Sequence, residues 1–151
     1  MSNNKAVFLI AAACLLMFFA GCAGTPAVGA VRVRALDGYS GRPLEGACVT
    51  VPETGGRFTT DAAGLTELMT LPVIKDSEYE ELLPCPSGRI TLLVSADGYT
   101  PYLLLYARVR EGETRTIDAL LFPADGSLDV FTVIEAPDES WCEELMLKNL
   151  P

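Results

Sequence analysis

Residues 31–51 read VRVRALDGYSGRPLEGACVTV, and this stretch decides the fold. Apolar and basic side chains alternate from Val31 to Arg34, which is the period of a half-buried β-strand. Turn-forming residues follow at 37–41, where Asp, Gly and Ser accumulate. Residues 47–51 resume the alternation, with Ala47, Val49 and Val51 on one side. Short alternating strands separated by turn signals predict an all-β domain.

Five further strands are predicted downstream, at residues 57–60, 65–71, 89–95, 101–110 and 115–122. Together with the first two they make seven, which is typical of two sheets packed face to face. The sequence therefore predicts a seven-stranded β-sandwich over residues 30–123. A domain of this length buries a sufficient core without help from a metal or a disulfide.

Two regions do not follow the strand pattern. The first is an acidic insertion at residues 72–87, in which Ser77 and Glu80 have capping-box spacing and predict one helical turn. It offers a surface for a partner, made of Asp76, Glu78, Tyr79, Glu80 and Glu81.

The second is the tail, residues 124–151. Residues 130–134 are predicted to add an edge strand. Ser140 and Glu143 again have capping-box spacing, which predicts a short helix over residues 139–147, docked on the sandwich. Trp141, Leu145 and Met146 would share one face of that helix.

The N-terminal segment has a different composition. Residues 1–21 contain one charge, Lys5, followed by an unbroken apolar run at 6–20. Fifteen helical residues span only about 22 Å, short of the roughly 30 Å of a bilayer core. This pattern predicts a signal-peptide helix that is removed. Residues 22–29, with Gly, Thr, Pro and Ala and no charge, form a flexible tether.

The end of that segment, Phe19-Ala20-Gly21-Cys22, resembles the lipobox of bacterial lipoproteins, although Leu is commonest where Phe19 stands. The resemblance implies cleavage after Gly21, a diacylglyceryl group on the Cys22 thiol, and attachment to the extracytoplasmic face of the cell membrane. Two acyl chains make a stable anchor. The alternative is an ordinary secretory cleavage site with an unmodified Cys22.

Residues 31–123 also resemble a carboxypeptidase regulatory-like domain of transthyretin-like, or prealbumin-like, topology. The segments that carry the resemblance are residues 37–49, 60–64 (Thr-Asp-Ala-Ala-Gly) and 94–99 (Val-Ser-Ala-Asp-Gly-Tyr). The insertion at 72–87 is longer than the usual connection, and the tail lies outside the match. The resemblance implies an accessory module of surface proteins, carboxypeptidases or transporters, and implies no reaction.

The amino-acid composition excludes several kinds of catalytic and binding site. The sequence has no histidine, which removes Ser-His-Asp and Cys-His nucleophile pairs and the commonest metal ligand. No cofactor or metal site is expected. Without residues 1–21 the chain carries ten Lys and Arg against twenty acids, a net charge of about −10. Such a surface does not neutralise phosphates, so nucleic acid is excluded as a partner.

Three cysteines remain beside Cys22 in the mature chain: Cys48, Cys85 and Cys142. Cys48 is predicted to face outward from its strand. A Cys85–Cys142 disulfide would join the tail to the insertion, and three free thiols are the alternative.

These observations predict a membrane-anchored, non-enzymatic binding or accessory module of the cell envelope, whose partner is an envelope protein or a glycan. The alternative is a small envelope hydrolase that uses carboxylates of residues 76–81, chiefly Glu78, Glu80 and Glu81. A third hypothesis is an accessory subunit of a separate catalytic protein.

Overall fold

The computed structural model describes residues 26–126 and 129–149. The predicted signal peptide, its cleavage site at Gly21 and the predicted lipidation site Cys22 lie outside the described residues. The strands are β1 (Val28–Asp37), β2 (Cys48–Val51), β3 (Gly56–Thr59), β4 (Met69–Pro72), β5 (Ser87–Ser95), β6 (Tyr102–Arg110), β7 (Thr114–Leu121) and β8 (Phe131–Ile134). The helices are α1 (Ser77–Leu82) and α2 (Glu139–Asn149).

The strands form two sheets, as the sequence predicted. One has the order β4-β1-β7 and the other the order β3-β2-β5-β6-β8. The β1–β7 and β6–β8 pairs are parallel, and all other pairs are antiparallel. The seven predicted strands are β1 to β7, and β8 is the predicted edge strand of the tail. The all-β sandwich is therefore confirmed.

The core lies between the two sheets and follows the alternation seen in the sequence. Val31, Val33 and Ala35 of β1 are at most 1% exposed, and Val49 and Val51 of β2 are fully buried. The same inward period continues in the remaining long strands, with Ile90, Leu92, Val94, Leu104, Ala107, Val109, Ile117, Ala119 and Leu121. Because the inward side chains are almost all aliphatic, this main core is held together by apolar burial.

The end of the sandwich at which β1 begins is called the near end. Here Val28 pairs with Pro72, the residue at which the insertion starts, and Ser87, at which it finishes, pairs with Arg110. Gly88 lets the insertion cross directly over β5, because a Cβ atom there would stand 2.3 Å from the backbone nitrogen of Ile74. The insertion is thus fixed at the near end by backbone contact.

The opposite end, at which β1 finishes, is called the far end. Its rings include Phe122 and Phe131, with centroids 5.4 Å apart, and Tyr102, which is 5.9 Å from Phe131. Tyr99 donates a hydrogen bond from its hydroxyl to Asp37 at 2.9 Å. Tyr102 belongs to the main core, and Tyr99 packs against it, so these tyrosines serve packing.

The helices of the described residues are α1 and α2. Neither is long enough and apolar enough to cross a membrane.

Candidate functional site

The insertion folds into α1, and two of its acidic residues, Asp76 and Glu80, have separate structural roles. The N-cap is Asp76 rather than the predicted Ser77, and its side chain accepts a hydrogen bond from the backbone N–H of Glu78 at 3.0 Å. Glu80 accepts hydrogen bonds from the backbone N–H of Cys85 at 2.7 Å and from Lys75 at 3.4 Å. The hydrogen bond from Cys85, helped by Lys75, holds the pKa of Glu80 below its ordinary value.

The five predicted surface residues therefore fall into two groups. Glu78 and Glu81 are exposed. Asp76, Tyr79 and Glu80 are half-buried and contact other parts of the insertion or the sandwich. The exposed pair is the part of this surface that is free to meet a partner.

The tail docks on the insertion through a second, smaller apolar cluster. This insertion–tail cluster consists of Leu83, Cys85 and Trp141, with Tyr79, Cys142 and Leu145 packed around them. Trp141 is 4% exposed, donates from its indole nitrogen to the carbonyl of Leu83 at 3.0 Å, and meets Tyr79 edge-on at 5.3 Å.

The predicted tail helix is confirmed, and three of its details are corrected. The helix extends to Asn149, Ser140 lies inside it rather than at its cap, and Met146 is 52% exposed instead of sharing the buried face. An indole needs a hydrogen-bond partner when it is buried, and the irregular chain after α1 supplies one.

The three described cysteines are unbonded in this structure. Cys85 is buried, with its sulfur 3.6 Å from the Ser87 hydroxyl, and Cys142 packs on the same cluster. Cys48 lies on β2, outside that cluster, and is half-buried. The Cys85–Cys142 disulfide stays a prediction, which peptide mapping under non-reducing conditions tests.

A charged network fixes the chain between β8 and α2. This arginine network joins Arg108, Arg110 and Arg115 to Glu135 and Asp138. Glu135 accepts from Arg108 at 2.6 Å and from Arg115 at 2.8 Å, while Asp138 accepts from Arg108 at 3.0 Å and from Arg110.

The network sets the protonation of its two carboxylates. Burial by itself raises the pKa of Glu135, but the hydrogen bonds and charges of Arg115 and Arg108 outweigh burial, so the pKa lies below its ordinary value. The hydrogen bond from Arg110 is the largest of the effects that lower the pKa of Asp138. Both groups are therefore ionised at neutral pH.

A second cationic feature lies on the outer face of the five-stranded sheet, beside α1. The guanidinium carbon of Arg89 stands 3.8 Å from the ring centroid of Tyr79 and 5.4 Å from that of Tyr106. The Arg89 side chain is only 11% exposed, and its nearest carboxylate contact is Asp76, with 3.8 Å between Nη1 and Oδ2. The two distances from the guanidinium carbon to the ring centroids lie within the range of cation–π attraction.

Tyr106 has an unusual backbone. It is the non-glycine residue with a positive φ, 61°, in the described part of the chain. Leu105 and Tyr106 of β6 together stand opposite the single residue Thr91 of β5, which makes a β-bulge. Such a conformation costs a tyrosine about 1–3 kcal/mol, and strain of this kind collects at functional sites.

Beside the bulge is a cleft of about 280 Å³. Its lining residues include Glu53, Lys75, Asp76, Arg89, Thr91 and Tyr106. Glu53 reaches across from the β2–β3 turn and accepts the backbone N–H of Thr91 at 2.8 Å through Oε1. The cleft is thus built by the insertion, the bulge and a neighbouring turn together.

Sequence patterns did not reveal either the arginine network or the cleft. Arg89 lies at the beginning of a strand that alternates normally, and nothing local marks Tyr106 for a positive φ. The basic residues at 108, 110 and 115 were a usable signal for the network. Positions 108 and 110 share one face of β6, and unpaired charges there need acidic partners from elsewhere in the chain.

Two carboxylates of the insertion have structural roles. Asp76 caps α1, and Glu80 is bound to Cys85 and Lys75. Among residues 26–126 and 129–149, no set of three or more Cys, Asp and Glu side chains is placed to hold a metal ion. The arrangement provides binding groups: a stacked cation, an exposed acidic pair and a half-exposed ring.

No family model matches this chain, and no curated protein matches it. Among solved structures, a cohesin–X-dockerin complex from Acetivibrio cellulolyticus is 13% identical, with a TM-score of 0.46, over 67% of this chain and 64% of that chain. A Bacteroides fragilis protein described as membrane-associated and of unknown function is 21% identical, with a TM-score of 0.39, over 69% and 31%.

Catechol 1,2-dioxygenase from Acinetobacter is 15% identical, with a TM-score of 0.46, over 75% of this chain and 60% of that chain. This chain spans less than two thirds of the length of each of these three structures. With TM-scores below 0.5, they carry no inference about what this chain does.

Proposed function

We propose that this chain is an envelope lipoprotein: it is exported, cleaved after Gly21, lipidated on Cys22, and serves as a non-catalytic binding module at the membrane surface. The sandwich is the scaffold, of carboxypeptidase regulatory-like type, and the insertion with the docked tail is the contact surface. The observation that supports the contact surface is the packing of Trp141 on the insertion. It makes two regions outside the seven-stranded frame into one ordered unit.

The position of that unit fits a role close to the membrane. Cys22 stands six positions before Val28, and six extended residues reach at most about 21 Å. The insertion begins at Pro72, which pairs with Val28. An anchored chain would therefore hold the insertion and the tail within a few tens of ångströms of the bilayer, facing proteins or glycans of the envelope.

The exposed acids Glu78 and Glu81 give this surface its charge. A partner that binds here presents cations or hydrogen-bond donors, because the domain as a whole is strongly acidic. Nucleic acid, with its own negative charge, does not fit such a surface.

Capture from envelope extracts tests the contact surface. Affinity-tagged full chain, crosslinked in the producing cells, is expected to retain a reproducible envelope partner, and Glu78→Lys with Glu81→Lys is expected to reduce its yield several-fold. The matched control is Glu45→Lys with Asp97→Lys, which makes the same charge change at exposed positions elsewhere. Equal loss in both double variants, or no loss in the first, would remove the insertion from the binding surface.

Lipidation is tested separately at Cys22. Mass spectrometry of the mature N-terminal peptide is expected to show Cys22 carrying acyl chains, and Cys22→Ser is expected to move the chain out of the membrane fraction. A mature terminus with an unmodified cysteine would instead support ordinary secretion.

A further inference from the structure

Arg89 has a largely buried side chain that borders an open cleft. A guanidinium has five N–H donors and remains charged at all physiological pH values. The backbone N–H of Arg89 donates to the carbonyl of Ile74 at 2.8 Å, but its side chain makes no hydrogen bond within the described residues, and its one ion-pair contact, to Asp76, is 3.8 Å long. Its side chain is nevertheless only 11% exposed.

Three arginines elsewhere in the structure are hydrogen-bonded to carboxylates. Arg34 makes two hydrogen bonds to Asp118, at 2.8 and 2.6 Å, although it lies on an exposed surface. Arg108 and Arg115 bond to Glu135 at 2.6 and 2.8 Å. The side-chain donors of Arg89 have no hydrogen-bond acceptor within the described residues, so they are open to a ligand that enters the cleft.

Two aromatic rings lie against the guanidinium of Arg89. Tyr79 and Tyr106 contact the guanidinium at 3.8 and 5.4 Å, and the strained backbone of Tyr106 at the bulge positions the second ring. A guanidinium fixed in this way matches a planar, bidentate acceptor. The cleft of about 280 Å³ in front of it has room for a small group.

Charges in the cleft favour one kind of anion. Glu53 and Asp76 line it together with Arg89 and Lys75. The ammonium of Lys75 is already bound by Glu80 and by the carbonyl of Cys85, so the two carboxylates are left to repel a doubly charged phosphate. Glu53 uses Oε1 for Thr91, and Oε2 makes no hydrogen bond within the described residues. That oxygen is an acceptor for an N–H group of the ligand. A singly charged carboxylate with a nearby amide or ammonium fits this pattern.

We propose that the Arg89 cleft binds the free carboxylate at the end of a short peptide. Arg89 holds the carboxylate, Glu53 accepts an N–H of the peptide, and the half-exposed ring of Tyr106 contacts the terminal side chain. This inference deepens the proposed function, on which it rests, because it names the chemistry that one part of the contact surface recognises.

The test is a titration of the full chain in detergent micelles with the dipeptide Ala-Ala, followed by the backbone amide signals in NMR spectra. Signals of Arg89, Thr91 and Tyr106 are expected to shift at millimolar dipeptide. The C-terminal amide of the same dipeptide is expected to bind at least about tenfold more weakly, because a charge-assisted pair is lost. This comparison uses the unaltered chain and does not depend on any variant folding.

Arg89→Gln is expected to weaken dipeptide binding at least about tenfold, and Arg89→Lys to weaken it less, because lysine keeps the charge and loses the fork. Arg34→Gln, which removes an arginine from the opposite sheet, is the matched control and is expected to change nothing. Tyr106→Gly is expected to relieve the backbone strain and still lose affinity.

Three outcomes would overturn the proposal: equal binding of dipeptide and amide, shifts confined to residues away from the cleft, or binding of glucuronate or inorganic phosphate in preference to the dipeptide. Its failure is separable from failure of the proposed function. Envelope capture that depends on Glu78 and Glu81 would stand without dipeptide binding. If the dipeptide bound but no envelope protein were captured, the cleft would stand as a binding site and the proposed envelope partner would be rejected.

Discussion

The main core and the insertion–tail cluster are both buried, but they are held together in different ways. The main core joins the two sheets through buried side chains that are almost all aliphatic and at most 6% exposed. The insertion–tail cluster centres on Leu83, Cys85 and Trp141, and it depends on an indole hydrogen bond and on the arginine network beside it. The first is stabilised by buried area, and the second by a few specific contacts.

This difference has a consequence for what each region tolerates. A large apolar core loses stability everywhere when one side chain is removed, because the sheets unfold together. A small cluster held by one indole and several ion pairs opens locally and responds to pH. We therefore expect the sandwich to stay folded under conditions in which the contact surface opens locally.

The largest expected effect is in the main core. Leu92→Ala removes a side chain that is 1% exposed and leaves a cavity between the sheets, so the free energy of unfolding is expected to fall by about 4 kcal/mol. Urea denaturation followed by circular dichroism measures it. A loss below about 1 kcal/mol would mean that the two sheets do not share one core.

The next effect is local. Trp141→Ala is expected to cost about 3 kcal/mol of the docking free energy of α2 and little of the stability of the sandwich. Limited proteolysis should cut the tail of this variant early while residues 28–121 stay resistant. Simultaneous unfolding of the sandwich in the same variant would contradict the separation of the two regions.

Low pH is expected to destabilise the docked tail more than the main core, and this effect is smaller than those of the two substitutions above. The pKa values of Glu135 and Asp138 are lowered in the folded chain, so their stabilising contribution is complete above the unfolded value, near 4, and is lost as the pH falls through the folded values. The sequence has one tryptophan, so fluorescence of Trp141 reports undocking below about pH 4. The main core has no such carboxylate and should stay folded longer.

Matched substitutions sharpen this test. Glu135→Gln is expected to cost about 2 kcal/mol of docking free energy at neutral pH and to reduce the acid response. Asp118→Asn breaks the pair with Arg34, whose side chains are 46% and 45% exposed, and should cost less than about 0.5 kcal/mol. Equal effects of the two changes would show that the arginine network is only a surface feature.

The smallest expected effect is a change of pKa at the far end. Hydrogen bonds from the backbone and hydroxyl of Ser40, and then from the hydroxyl of Tyr99, lower the pKa of Asp37 to about 2. Tyr99→Phe removes one of them, so the pKa should rise toward 3.8 without undocking the tail. Carboxyl chemical shifts in an NMR titration measure it, and an unchanged value would show that Tyr99 does not contribute.

The sandwich could be predicted because its strands show a regular alternation of apolar and polar residues. Val31, Val33 and Ala35, with Ala47, Val49 and Val51, occupy the core positions that alternation assigned to them. The tail helix and the edge strand were also predicted, since both have local signals. The cap of α1 was placed one residue late because Asp76 competes with Ser77 for the same role, and only the backbone geometry decides between them.

The candidate site was not predictable in the same way. Its defining contacts join Glu53, Asp76, Arg89 and Tyr106, which are far apart in the sequence and carry no shared motif. The positive φ of Tyr106 follows from the two-to-one register of β6 against β5, which is a property of the sheet rather than of the local sequence. The insertion as a partner surface stays a prediction, and Arg89, the cation beside it, lies just beyond its end.

The parallel pairing of β1 with β7 has a consequence for biogenesis. Val33 pairs with Ile117, so the central strand of the smaller sheet stays incomplete until nearly the whole domain has been delivered. Contacts of such long sequence separation form slowly. In a chain exported as we propose, the N-terminal strand leaves the translocation channel first and its last partner much later. This strand order keeps the polypeptide unfolded during translocation, and the sandwich closes only when translocation is nearly complete.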